Sequence, residues 1–229
     1  MKTYELYPKL NPFNEKDLLK AHGVMMNSLT DDAGRFRHGG VGVFAGQKCI
    51  HLALPATRVP FLIGDLFDWL KHSKDHLLIR SCVFHYEFEF IHPFSDGNGR
   101  MGRMWQTLLL MQWKPIFAWL PVETIVKENQ QKYYDAIALS DKQGNSTAFI
   151  TFMLKCILAS LKEMCESNQK SNQKVLSAIS ENPDITIKEL QTLIGLSESG
   201  IKKILRQLRN DGVIVRIGGA KGGHWEILK

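Results

Sequence analysis

Between His92 and Arg103 the chain runs His92-Pro93-Phe94-Ser95-Asp96-Gly97-Asn98-Gly99-Arg100-Met101-Gly102-Arg103. An imidazole, a carboxylate, a glycine-rich turn and two guanidiniums share this one short segment. A histidine is the usual general base near neutral pH. Glycines let backbone N–H groups approach an anion with no Cβ in the way, and arginines pair with phosphate oxygens. The segment reads as a phosphate-handling catalytic turn.

The elements around it decide which kind. Gly97-x-Gly99-x-x-Gly102 matches a dinucleotide-binding fingerprint, which needs a strand before the turn and a βαβ unit around it. Leu77 to Phe90 is too long for a typical strand and reads as a buried helix, and Met104 to Met111 is rich in helix-favouring Leu and Met. Helix, turn, helix is the expected context, which argues against a Rossmann fold. No Gly-x-x-x-x-Gly-Lys-Ser/Thr phosphate loop occurs in the chain. His85, Glu89 and His92 share one helix face at spacings of four and three. They lack the His-Glu-x-x-His spacing of a zinc helix, and Pro93 turns the chain away directly after His92.

His-Pro-Phe-x-Asp-Gly-Asn-Gly-Arg-x-x-Arg, matched at every defined position from His92 to Arg103, resembles the signature of the Fic family, whose members transfer AMP from ATP onto hydroxyl side chains of other proteins. The resemblance extends from about Asn14 to Glu163. It implies ATP as substrate, Mg²⁺ on the phosphates and a target protein as partner. His92 would be the general base and Asp96 the Mg²⁺ ligand. Gly97, Asn98 and Gly99 would form an anion nest at a helix N-terminus, and Arg100 and Arg103 would grip the β- and γ-phosphates. Phe94 is expected to plug into the core. Doc-like kinases of the family carry Ala and Lys where this chain has Gly97 and Gly99, so Gly-Asn-Gly points to nucleotidyl transfer. The family implies AMP removal as a further activity and leaves a homodimer open.

The 229 residues, 44% of them apolar and 23% charged, suffice for a medium domain and a small one. The net charge of +6 and pI near 9.1 permit a nucleotide or nucleic-acid partner. Cys49, Cys82, Cys156 and Cys165 form no Cys-x-x-Cys pair and fit buried thiols in a reducing, cytoplasmic setting. No apolar run is long enough to span a bilayer, and the first residues lack a signal-peptide layout. The expectation is therefore a cytoplasmic protein without a membrane partner.

In chain order, residues 1–13 read as an extended lead-in, and Asn14 caps a helix from about Glu15 to Ser28 whose His22 faces the core. The β-prone runs around Val43-Phe44-Ala45-Gly46 and Cys49 to Leu52 form an expected hairpin. In Fic proteins a hairpin in this place is a flap that holds the target segment by strand addition. Helices follow over Phe61 to His72, His76 to Phe90, Val122 to Ser140 and Ala148 to Met164. Tyr133 and Tyr134 match a Tyr-Tyr pair that helps line the nucleotide-base pocket in Fic relatives. The family's inhibitory helix carries Ser/Thr-x-x-x-Glu-Gly/Asn, whose Glu pairs with the second signature arginine, here Arg103. Thr124–Asn129 and Ser177–Asn182 fit that pattern outside its usual place ahead of the core. The expectation is that the inhibitory region lies outside this chain.

The polar run Ser167 to Gln173 marks the expected boundary between a Fic domain over 1–166 and a second domain over 167–229. There, Thr186 caps Ile187 to Ile194, Ser197 caps Glu198 to Asn210, and two alternating strands flank a glycine-rich turn, resembling a winged helix-turn-helix. From Asn168 onward there are ten Lys and Arg against six Asp and Glu. Lys202, Lys203, Arg206 and Arg209 mark the third helix as a DNA-contacting face, or else as a solvated or protein-contacting one. The expected fold is mainly α: a Fic-type helical bundle with a small β-hairpin flap, followed by a small winged helix (α+β) domain. The expected function is protein adenylyltransferase. The alternative is a DNA-binding transcriptional regulator in which the Fic core senses nucleotide.

Overall fold

A computed structural model describes residues 4–45, 48–120, 122–219 and 222–228. The chain divides into two compact units, Met1–Ser160 and Leu161–Lys229.

The first unit is a helical bundle with one hairpin. Tyr4–Lys9 forms a 3₁₀ turn rather than an extended lead-in, and it feeds Leu10 into the core. Helix α1, Glu15–Met25, is capped by the Asn14 side chain, which accepts from Lys16 N. Strands β1 (Gly42–Ala45) and β2 (Lys48–Leu52) pair antiparallel, with an irregularity between Val43 and Phe44. Then come α2 (Val59–His72), α3 (Leu77–Ile91) and α4 (Asn98–Trp113). Helix α3 buries residues all round its circumference, as a central helix must. Phe67 of α2 sets its ring edge-on to both Phe84 of α3 and Trp105 of α4. Each of these rings is buried, which stabilises the bundle by about 2–3 kcal/mol per side chain.

The expected single helix over Val122 to Ser140 is two helices, α5 (Val122–Glu128) and α6 (Gln130–Gln143). Asn129 separates them: its side-chain amide donates to the Ile125 carbonyl, and its φ of −125° leaves helical geometry. Helix α7, Thr147–Glu181, continues past the expected end at Met164 and runs through the polar segment Ser167 to Gln173. Ser, Asn, Gln and Lys lower helix propensity only slightly, and no Gly or Pro interrupts the run.

The second unit packs Val175, Ile179, Leu190, Ile201, Leu205, Leu208, Ile214 and Trp225 into one core. Helix α8 (Ile187–Ile194) starts on a capping box made by Thr186 and Glu189. Helix α9 (Glu198–Asn210) starts on Ser197. Strands β3 (Ile214–Ile217) and β4 (His224–Ile227) pair antiparallel as a wing.

Candidate active site

The signature is the connection from α3 to α4. Helix α3 ends at His92, whose backbone is left-handed at φ 53° and ψ 62°. Pro93 cannot continue the helix, so the chain turns there. The His92 ring donates from Nδ1 to the Glu89 main-chain carbonyl at 3.3 Å. In the neutral ring this places the lone pair on Nε2, as a general base requires.

Three struts hold the loop. Phe94 is fully buried and stacks on His22 with ring centroids 3.6 Å apart. His22 Nε2 donates to the Asp96 carbonyl at 3.0 Å, and its Nδ1 accepts from Gly34 N at 2.9 Å. Burial pushes the His22 pKa below its ordinary value, which keeps this neutral, doubly bonded tautomer. His22 is thus a satisfied core histidine that braces the loop. Asn98 bridges the loop onto itself, accepting from Phe94 N and donating to Phe94 O. Its side chain is occupied by the loop, and its backbone N–H is left to the first turn of α4. Ser95 donates to the Asp32 carboxylate.

Gly97 caps α4 with φ +85°, and a Cβ there would lie 2.8 Å from Met26 Sδ, so both conformation and space call for glycine. The first-turn N–H groups of Asn98, Gly99 and Arg100 have no acceptor within the helix, which makes this end a ready anion site. Asp96 accepts from Gly97 N at 2.6 Å and from Arg100 Nη2 at 3.1 Å, and both side chains remain well exposed. Arg103 lies over this turn, its Nη1 only 2.9 Å from where a Gly99 Cβ would stand. Its Nε donates to Glu123 Oε2 at 2.5 Å. Burial alone would lower the Arg103 pKa; the Glu123 carboxylate overrides that and raises it.

Arg103 meets a carboxylate of this chain that the inhibitory pattern does not include. The partner is Glu123, directly ahead of the Thr124–Asn129 pattern, and neither Glu128 nor Glu181 makes the contact.

A cavity of about 120 Å³ opens between these elements, lined by Glu89, Phe90, His92, Gly99, Arg103, Tyr133, Tyr134, Ile137 and Asp141. The signature histidine, one signature arginine and both tyrosines thus share one space. Tyr133 is buried and Tyr134 half-buried. Tyr133 OH donates to His85 Nε2 at 3.0 Å, and His85 Nδ1 donates to Gln106 Oε1 at 2.6 Å. With both nitrogens bonded, His85 is a structural, neutral ring, its pKa pushed down to about 3 by burial. Among the described residues no group of three or more His, Cys, Asp or Glu is placed to hold a metal ion.

Glu89 and Glu123 carry no signal in the signature spacing. Glu89 is buried, its Oε2 stands 3.9 Å from His92 Nδ1, and its Oε1 has no hydrogen-bond partner. Burial raises its pKa to about 7. Gly102 makes room for it, since a Cβ there would meet Glu89 Oε1 at 2.7 Å. Glu123 becomes a neighbour only through the fold.

Of the expected flap residues, Val43, Phe44 and Ala45 form β1, and Gly46 lies outside the described residues. In the second unit Lys202, Lys203, Arg206 and Arg209 are all exposed on α9, with Lys202 paired to Glu198.

Residues 12–110 match the model of the Fic/DOC family, and residues 169–215 match that of a winged helix-turn-helix DNA-binding family. A crystal structure of a Fic family protein from Desulfovibrio desulfuricans G20 is similar over 99% of this chain and 72% of its own, at 39% identity and a TM-score of 0.71. Fic-1 from C. elegans, residues 134–508, shares the fold over 74% of this chain and 50% of its own, at 22% identity and a TM-score of 0.57. The protein adenylyltransferase Fic of Culex quinquefasciatus is 30% identical over 145 residues, which are 62% of this chain and 27% of that protein. The chain thus spans about a quarter of the length of such curated relatives. Among the described residues no helix is long and apolar enough to cross a membrane. By its signature, its fold and these likenesses, the chain belongs to the Fic/DOC family, with a winged helix-turn-helix domain C-terminal to the Fic domain.

Proposed function

We propose that this chain is a protein adenylyltransferase, in which residues 1–166 transfer AMP from ATP to a Tyr, Thr or Ser hydroxyl of a target protein and residues 167–229 are an attached module. The observation that carries the reading is the single cavity shared by His92, Gly99, Arg103, Tyr133 and Tyr134 beside the N-terminus of α4. His92 Nε2 takes the hydroxyl proton, and the freed oxygen bonds to the α-phosphorus as the bond to pyrophosphate breaks. The α4 N–H groups with Arg100 and Arg103 bind the phosphates and stabilise the charge that develops there. Tyr133 and Tyr134 line the base pocket, and β1 offers its backbone edge, from Val43 to Ala45, to the target segment.

The exposed Asp96 carboxylate fits Mg²⁺, which binds proteins through one or two carboxylates plus phosphate. When bound, the ion supplies charge neutralisation on the phosphates. The test is label transfer: label from α-labelled ATP is expected to enter protein, and label from γ-labelled ATP alone would make the chain a kinase instead.

A second reading, sequence-tolerant DNA binding by the winged helix, is favoured by four exposed cations along α9. It is compatible with the first, because its residues belong to the other unit.

A further inference from the structure

Arg37 lies between α1 and β1, outside the signature, and only 2% of it is exposed. A guanidinium this deeply buried needs compensation. Here it comes from main-chain carbonyls of three separate segments. Nε donates to His92 O at 2.7 Å. Nη2 donates to Ile91 O at 3.3 Å and to Leu54 O at 2.5 Å. Nη1 donates to Gly39 O at 2.8 Å, and the Arg37 backbone N–H adds a bond to Pro93 O at 3.0 Å. Ile91 and His92 are the C-terminal end of α3, where unpaired carbonyls and the helix dipole both favour a cation. Gly39 stands ahead of β1 and Leu54 follows β2, so they are the two roots of the hairpin.

One planar side chain thus grips the backbone of the general base and both ends of the proposed flap. His92 holds a left-handed conformation that L-residues disfavour by about 1–2 kcal/mol, and the Nε bond falls on that residue's own carbonyl. We infer that Arg37 is a positioning residue that sets the hairpin in register with His92, so that a target strand docked on β1 brings its hydroxyl to Nε2. This rests on the adenylyltransferase reading for its purpose, whereas the coupling itself is a property of the chain alone. Lysine cannot replace it. An ammonium keeps the charge but lacks the in-plane fork that reaches the α3 terminus and both hairpin roots at once.

The test uses the full chain and Arg37→Lys, with Arg37→Ala as a second variant if it folds. Three quantities are read: amide exchange, the ¹⁵N shifts of the His92 imidazole (assigned by comparison with His92→Gln), and affinity for ATP with Mg²⁺. In Arg37→Lys, exchange is expected to rise at least about tenfold in residues 39–54 and 89–94 together. The ¹⁵N shifts are expected to show a loss of the single Nδ1–H tautomer. Exchange in α2 and in the α4 core, and affinity for ATP, are expected to stay within about twofold. Unchanged hairpin exchange or unchanged imidazole shifts would overturn the inference, as would loosening spread evenly over the whole bundle. Wild-type label transfer, run alongside, is read separately: its absence would remove the adenylyltransferase reading and leave the coupling measurement standing.

Discussion

Arg103 Nε and Glu123 Oε2 meet at 2.5 Å at the edge of the cavity that also holds His92, so the proposed nucleotide phosphates would compete for this guanidinium with a carboxylate of its own chain. Arg103 is mostly buried while Glu123 is about two-fifths exposed, and such a partly screened pair is worth about 1 kcal/mol. Glu123→Gln is therefore expected to tighten ATP binding about fivefold, as measured by calorimetry. Weaker binding in the variant would mean that Glu123 orients Arg103 instead of competing for it.

Glu89 gives a pH signature of defined sign. Its folded pKa is about 7 against an unfolded value of 4.5, because burial disfavours the charge. Below pH 4.5 both states hold the proton. As pH rises from 4.5 through 7 the unfolded chain releases it first, so stability falls across that window. Glu89→Gln has no proton to lose, and the neighbouring His85 is common to both proteins. The variant is expected to match wild type near pH 4.5 and to exceed it by about 3 kcal/mol at pH 8 in urea unfolding. A variant less stable than wild type at pH 8 would contradict the burial of an uncompensated acid.

His22→Ala removes one hydrogen bond to the loop, at Asp96 O, another from Gly34 N, and the ring stacked on Phe94. A loss of about 3 kcal/mol is expected in denaturant unfolding, with amide exchange rising over residues 93–98. A neutral effect would mean that the loop is held without His22, by its other ties.

The face of α9 makes a prediction that is separate from the catalytic one. If duplex DNA binds there, Lys203→Glu with Arg206→Glu is expected to weaken binding and lower the log–log salt slope by about two. An unchanged slope would place any DNA contact elsewhere on the chain.

The signature was legible because its chemistry is local: His92, Asp96, the Gly97–Gly99 turn and both arginines are neighbours in sequence, and the helices on either side follow from apolar composition. The winged unit was legible for a similar reason, since its caps at Thr186 and Ser197 and its alternating strands are short-range signals. Two expected helix extents differ from the structure where a single local cue was ambiguous. Asn129 breaks a helix through its own side chain, and the polar run Ser167 to Gln173 stays helical because polarity is not a helix breaker. The residues that complete the site were hidden for a different reason. Glu123 and Arg37 act across the fold, and nothing in their neighbours announces a partner at Arg103 or at His92.

His92 is proposed as the base for AMP transfer in this loop. The most direct measurement compares wild type with His92→Ala for incorporation of label from α-labelled ATP, with ATP affinity measured on the same samples. A fall of about a hundredfold or more in transfer is expected, with ATP binding unchanged within about twofold because the first-turn N–H groups of α4 remain. Transfer that survives in His92→Ala, with nucleotide still bound, would contradict it.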